Sequence, residues 1–390
     1  MQVNFWTHAC AELVCGRKRL VTDPWCIGPA FMGGWLLKHQ PPKDWLDRLA
    51  SADAIYISHT HSDHMNPTTL RALAKENRNA PIYIPKFDSG STEKAIAPYG
   101  FTNVHVVPLG AWVDLGESVS FQMLPDTSGR DDSGLVVRHG QETLVDVVDA
   151  PNLNAGVLPC GIDWLLAPFA SGGSSYPLCY LEQYEESVVK ERLGKLRDVA
   201  LKSLIRLVNI TEPKNLLPFA GYYLEADPAL TALNGKNSPE SIKSSFRWTH
   251  PDLEVHLPRS QRQEHREYGP PYPSVDVNLA EYFDWAGWKG DLLLCIEEMD
   301  QNLRRTIDRH FVDFSKGTVT KGEPVSPGRY LNMKVRRQEF RYALAHGLGW
   351  EELATGFHCR FWRNPDAYEV DFWDHFQNHL PKEALCPTSS

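Results

Sequence analysis

Three imidazoles and a carboxylate fall within six residues, in His59-Thr60-His61-Ser62-Asp63-His64. Imidazole nitrogen and carboxylate oxygen together suit Zn, Fe or Mn. The His59-x-His61 pair can offer two ring nitrogens to one ion. Asp63 and His64 then point toward a second ion close by. A polar loop with scattered histidines is the bland alternative, and the context argues against it. Ala54 to Ile57 is apolar with β-branched members, which reads as a buried strand delivering this turn.

The chain ahead of that strand alternates apolar and polar residues in two short runs between residues 3 and 22, the pattern of a strand hairpin. Trp25 to Trp35 is a glycine-rich, aromatic loop near the site. Short helices are expected over 42–50, 67–75 and 92–97, the second capped by Asn66. Strands are expected over 82–84, 104–107, 119–124, 135–137, 143–148 and 215–219. A long amphipathic helix spans 183–208, with Val188, Leu193, Leu196, Val199, Leu204 and Leu207 among its apolar residues. Beyond that the pattern changes. Residues 250–275 are rich in Pro, Arg and Glu and read as irregular. Residues 330–347 and 365–379 read as helical and aromatic.

His59-x-His61-x-Asp63-His64 after a strand resembles the signature of the metallo-β-lactamase superfamily. The resemblance implies an α/β fold, the αββα sandwich, with one or two metals at one edge. We expect that core over residues 1–225. Residues 226–390 are a C-terminal helical and irregular extension, capping the site or packing on the back of the core. The resemblance also implies a bridging carboxylate, for which Asp149 stands at the end of the apolar strand 144–148. Asp23, after the first hairpin, is open between a turn residue before Pro24 and the buttress of the metal loop that the resemblance implies. A third-motif histidine is missing. Asp126, Asp131 and Asp132 are the acids in its loop, with Asp132 favoured because it precedes the next strand. The final histidine is also missing, with Ala220 in its place. Glu225 soon after is open between an oxygen ligand and a solvated carboxylate. His8 is open between a supporting role and a core histidine, the core reading standing higher. Tyr222, Tyr223, Arg360 and His375 could line a pocket or be structural.

Exchange of imidazole for carboxylate moves such a site toward iron, and an open position admits O2. Two irons bridged by a carboxylate can activate O2 for attack on a C–H bond, with the protein orienting substrate and excluding water. The stretches 20–31, 56–64, 218–225, 282–287 and 371–377 resemble the CMP-N-acetylneuraminate hydroxylase branch of the superfamily. That branch carries a Rieske domain, which needs C-x-H and C-x-x-H pairs. No cysteine here has a histidine at either spacing, and nothing precedes the sandwich to hold such a domain. The chain thus looks similar to Rieske-free nonheme diiron monooxygenases of diterpenoid antibiotic (platensimycin and platencin) biosynthesis.

The resemblance implies His59, His61, Asp63, His64, Asp132, Asp149 and Glu225 as ligands, Asp63 and Asp149 as catalytic carboxylates, two iron ions, and O2 as cosubstrate. It implies a small-molecule substrate and an external ferredoxin or reductase donor. Aromatic residues Trp362, Phe372 and Trp373 would suit an apolar substrate, or be ordinary core. The alternative is a dinuclear zinc hydrolase of a phosphodiester, lactone or thioester, with Asp63 positioning the attacking hydroxide. A metal scaffold without activity is the non-enzymatic reading.

The whole chain sets the bounds. Its 390 residues, 42% hydrophobic, suffice for a large core. A net charge of −9 argues against non-specific nucleic-acid binding. No apolar run reaches membrane-spanning length. Eight scattered cysteines without a C-x-x-C pair, and no visible leader, point to a reduced, cytoplasmic protein.

Overall fold

The computed structural model describes residues 1–170, 176–227, 230, 238–258, 268–322 and 328–377. Residues 259–267 of the expected irregular stretch, and 378–379 of the last helical one, lie outside them.

The strands in chain order are β1 Gln2–Thr7, β2 Cys10–Cys15, β3 Lys18–Thr22, β4 Trp35–Leu37, β5 Ala54–Tyr56, β6 Ile82–Lys86 and β7 Val104–Pro108. There follow β8 Trp112–Gly116, β9 Val119–Pro125, β10 Ser133–His139, β11 Glu142–Asp146, β12 Trp164–Pro168, β13 Asn215–Phe219, β14 Tyr223–Glu225 and β15 Glu254–Val255. One sheet runs β1-β2-β3-β5-β6-β7, and a second runs β15-β13-β12-β11-β10-β9-β8. Their inner faces meet through Leu13, Tyr56, Phe121, Leu135, Leu144 and Leu166, all buried. The inner strands β5, β11, β12 and β13 pair in parallel with neighbours and are apolar on both faces, as strands covered on both sides must be.

Each outer face therefore carries helices. Helices α1 (Trp45–Ala50), α2 (Pro67–Glu76) and α3 (Ser91–Ile96) belong to the first half of the chain. Leu49 of α1 and Leu70 and Leu73 of α2 pack on Ile55, Ile82 and Ile84. The Asn66 side chain accepts from Thr69 N at 3.0 Å, capping α2 as expected. On the other side lie α4 (Glu186–Thr211) and α5 (Pro239–Thr249), whose Leu204, Leu207 and Phe246 cover Val145, Leu165 and Leu216. The expected αββα sandwich is present. Val199, counted among the apolar residues of α4, is 62% exposed.

The core does not stop at residue 225. β15 pairs with β13 and α5 packs on the second sheet, so residues 239–255 complete the sandwich. The extension differs from the helical and irregular expectation. Strands β16 (Leu293–Met299), β17 (Thr306–Asp313), β18 (Thr318–Lys321), β19 (Tyr330–Arg336) and β20 (Cys359–Asn364) form a sheet in the order β18-β17-β16-β19-β20. Residues 330–336, expected as helix, alternate buried and half-buried and pair on both sides, which is strand behaviour. Helices α6 (Leu279–Ala286), α7 (Arg337–Ala345), α8 (Trp350–Thr355) and α9 (Val370–Gln377) accompany that sheet. Phe372, Trp373 and Phe376 are core residues of this unit, and Trp362 is 45% exposed. These aromatics therefore do not form the substrate wall. His375 is structural, with Nε2 2.7 Å from the Ala286 carbonyl.

The extension touches the site through a glycine contact. A Cβ on Gly34 would stand 2.2 Å from both Cα and O of Gly356, just after α8. The Trp35 indole N–H donates to Thr355 O at 2.9 Å across the same seam. Gly34→Ala is expected to force this seam apart and cost about 3 kcal/mol, the upper end of overpacking. Chemical denaturation would read that loss, and an unchanged midpoint would contradict it.

Candidate metal centre

The site residues come from chain reversals at one end of the sandwich. β5 delivers Ser58 to His64, and the turn after β11 delivers Asp149. His8 sits in the β1–β2 reversal, Asp132 precedes β10, and Ala220 follows β13. Several of these turns hold non-glycine residues at positive φ: Asp23 (34°), Phe31 (46°), Met32 (53°), Val148 (51°) and Ala220 (45°). A β-branched residue such as Val148 is costly there. Such strain persists where surrounding structure enforces it, commonly at functional sites.

Hydrogen bonds fix which nitrogen each histidine presents. Asp23 accepts from Ser58 N (2.7 Å), Ser58 Oγ (2.7 Å) and His64 Nδ1 (2.8 Å). It is the buttress of the metal loop. Ser58 gives its one hydroxyl proton to Asp23, so its oxygen accepts from His59 Nδ1, 2.9 Å away. His59 is left with a lone pair on Nε2, and His64 likewise on Nε2. His61 Nε2 is 3.0 Å from Glu351 Oε2, which turns Nδ1 inward, 2.8 Å from His59 Nε2. Two such nitrogens facing one another suit a shared cation, each histidine oriented by an outer acceptor.

Two ligand-spaced groups result. In one, His8, Asp63 and His64 converge, and in the other, His59, His64 and Asp149; the ligand atoms in each lie within 4.8 Å of one another. His64 belongs to both, its Nε2 3.4 Å from Asp63 Oδ2 and from Asp149 Oδ2. His8 Nε2 lies 3.1 Å from Asp63 Oδ2. Yet neither His8 ring nitrogen, nor His64 Nε2, nor Asp63 Oδ1 has a properly directed hydrogen bond. Buried polar atoms left without partners are expensive, and a cation between His8, His64 and Asp63 would satisfy one nitrogen of each ring and the carboxylate.

The charges agree. Burial opposes ionisation of Asp63, but His64 and His8 hold it well below its usual range. Burial opposes the charge on His64 too, and Asp63, Asp149 and Asp23 outweigh it and raise it well above normal. His61 is raised to about 10, Glu351 overcoming desolvation. His59, desolvated beside the other two rings, is lowered and stays neutral. Protons thus occupy positions where this donor set favours positive charge.

The remaining expected residues fall as follows. Asp132 Oδ1 is 4.0 Å from His59 Nε2, and burial raises its carboxyl to about 6. Asp126 is instead tied to its own loop by Ser128 N and Asn152 N. Asp131 accepts from Ser91 Oγ. Glu225 is 2% exposed on β14, opposite Trp35, so it is not solvated; it lies outside both ligand groups. Tyr223 stacks on Trp35 at 3.4 Å and meets His8 edge-on at 5.7 Å, so it lines the site. Tyr222 packs among Phe5, His39 and Phe169. Arg360 pairs with Asp227.

One contributor, Glu351, is absent from the sequence reading, and another, His8, stands there only as a supporting or core residue. His8 is core by burial, yet it faces Asp63. Its backbone carbonyl accepts from Ala220 N at 3.0 Å. The histidine therefore enters beside the residue standing where the superfamily's last histidine would be. Glu351 comes from α8, nearly three hundred residues from its partner His61, and no local pattern announces it. Glu351→Gln keeps the shape and removes the charge. It is expected to weaken metal binding about 10–100-fold, the usual effect of an outer carboxylate; competition against a chelator would measure it, and unchanged affinity would contradict the role.

Residues 18–148 match a family model described as the Beta-lactamase superfamily domain. The cytidine monophosphate-N-acetylneuraminic acid hydroxylase of Mus musculus is 32% identical, over 98% of this chain and 74% of its own length. The inactive cytidine monophosphate-N-acetylneuraminic acid hydroxylase of Homo sapiens is also 32% identical, over 98% of this chain and 85% of its own. Among solved structures, CmlA, a diiron beta-hydroxylase from Streptomyces venezuelae, superposes with a TM-score of 0.44 and 18% identity, over 67% of this chain and 54% of that chain.

Proposed function

Since the chain belongs to the cytidine monophosphate-N-acetylneuraminic acid hydroxylase family, within the beta-lactamase superfamily, we propose that it is a nonheme diiron, O2-dependent monooxygenase hydroxylating an unactivated C–H bond of a small molecule. One relative is named inactive, so family alone does not carry the reading. The observation that carries it is His64, whose unpartnered Nε2 is shared by two ligand groups, each with a carboxylate. His59, His61, Asp63, His64 and Asp149, with His8, are the ligands. Asp132 stands at the edge of the set, and Glu225 is a buried acid outside it.

Two iron ions held there would supply the oxidising power to turn O2 on a C–H bond. The chain's own residues do the rest. Ser58, Asp23 and Glu351 hold the imidazoles in one tautomer. Phe31, Trp35 and Tyr223, all buried, wall the site from water. A diterpenoid or other secondary metabolite is the substrate class the sequence resemblance favours. Electrons come from an external ferredoxin or reductase. No helix among the described residues is long and apolar enough to cross a membrane. The described cysteines are free thiols, which supports a reducing, cytoplasmic setting.

Iron-loaded protein with a chemical reductant, labelled O2 and a panel of diterpenoid acids and nucleotide sugars tests this reading by mass spectrometry. The expected product carries one labelled oxygen atom. Hydrolysis by the zinc form, with no O2 consumption by the iron form, would overturn it.

A further inference from the structure

The extension buries a cation that has no counter-ion among the described residues. Arg336 ends β19 and is 6% exposed. No ion pair forms on it among the described residues, and its Nε has no hydrogen-bond partner. Neighbouring guanidiniums are matched. Arg341 Nε holds Glu298 at 2.7 Å, and Arg360 holds Asp227. The side-chain contacts of Arg336 among the described residues are with neutral groups. Its Cζ lies 3.7 Å from the Tyr268 ring centroid, and Nη1 is 3.2 Å from His358 Nδ1. Burial and Arg336 push His358 down to about 3, so this imidazole accepts and brings no charge. A cation–π contact recovers only part of the desolvation of a buried guanidinium.

We propose that Arg336, stacked on Tyr268, is a binding subsite for an anionic group, a carboxylate or phosphate, of a small-molecule ligand. The free Nε edge is the side of the guanidinium fork that takes such a group bidentately. The subsite connects to the candidate metal centre. His358 Nε2 lies 3.2 Å from Phe31 O, and the Phe31 ring is 6.0 Å from that of His61. His358 and Phe31 thus link Arg336 to the histidine loop. That the ligand is the substrate rests on the hydroxylase reading; that the anion binds does not.

Isothermal titration of the full chain, stripped of metal so that none captures the anion, tests the subsite with inorganic phosphate and with acetate, chloride as control. One saturable site for either anion is expected, and the preferred anion identifies the group. Arg336→Met should weaken it at least about tenfold. Arg337→Met, removing a neighbouring cation paired with Glu298, should not. If Arg336→Met does not fold, Arg336→Lys serves, since it keeps charge and loses the fork. No saturable binding, or equal binding by the Arg336 variants, overturns the proposal. Failure of hydroxylation with anion binding intact would count against the hydroxylase reading alone.

Discussion

His64→Ala is expected to abolish paired metal binding, because the His64 Nε2, which can ligate one ion, stands where the two ligand groups overlap and faces both Asp63 and Asp149. The loss should exceed the 10–100-fold typical of outer-shell substitutions, and turnover should fall below detection. The variant also unbalances charge. In the metal-free protein His64 is the cation facing Asp63, Asp149 and Asp23, and it is fully buried. Removing one partner of such a buried set costs about 3–5 kcal/mol. Metal-free His64→Ala should therefore be less stable than wild type in chemical denaturation, as well as unable to hold the metal pair. Full metal content in the variant would remove His64 from the centre.

His8→Ala is expected to be selective. His8 belongs to one ligand group only, with Asp63 and His64. The His59, His64 and Asp149 group remains whole, held by Ser58 and Asp23. The variant should fall from about two metals per chain to about one, and lose the magnetic coupling that a carboxylate-linked pair shows. Asp63 loses one neighbour but keeps His64, so alanine leaves mainly a cavity, and stability should change less than for His64→Ala. Metal analysis with electron paramagnetic resonance would separate the outcomes. Two coupled ions in His8→Ala would return His8 to a packing role.

The metal loop was readable because its chemistry is local. Four ligand-type side chains within six residues, delivered by an apolar strand, admit few readings. Asp149 was readable by its strand end. Asp23 was undecided until the fold brought Ser58 and His64 onto its two oxygens. His8 and Glu351 act at long range. The first looks like any core histidine at the end of a strand. The second sits on a six-residue helix and acquires meaning only when Gly34 and Gly356 let two backbones meet. Most sandwich strands followed from their apolar runs, but β8, β12, β15 and the extension's sheet did not. β19, Tyr-Leu-Asn-Met-Lys-Val-Arg, is built largely from good helix formers, and pairing with β16 and β20 overrides that preference. β16 carries Glu297 and Glu298, whose burial is sustained by Arg309 and Arg341, partners far apart in sequence.

The central claim is that a carboxylate-linked pair of irons is held by His8, the His59–His64 loop and Asp149 inside this fold. Metal analysis of anaerobically purified protein, with Mössbauer spectra after iron loading, tests it most directly. The account predicts about two irons per chain and a coupled ferric pair after exposure to O2. Two zinc ions per chain, with iron-loaded protein unresponsive to O2, would contradict it.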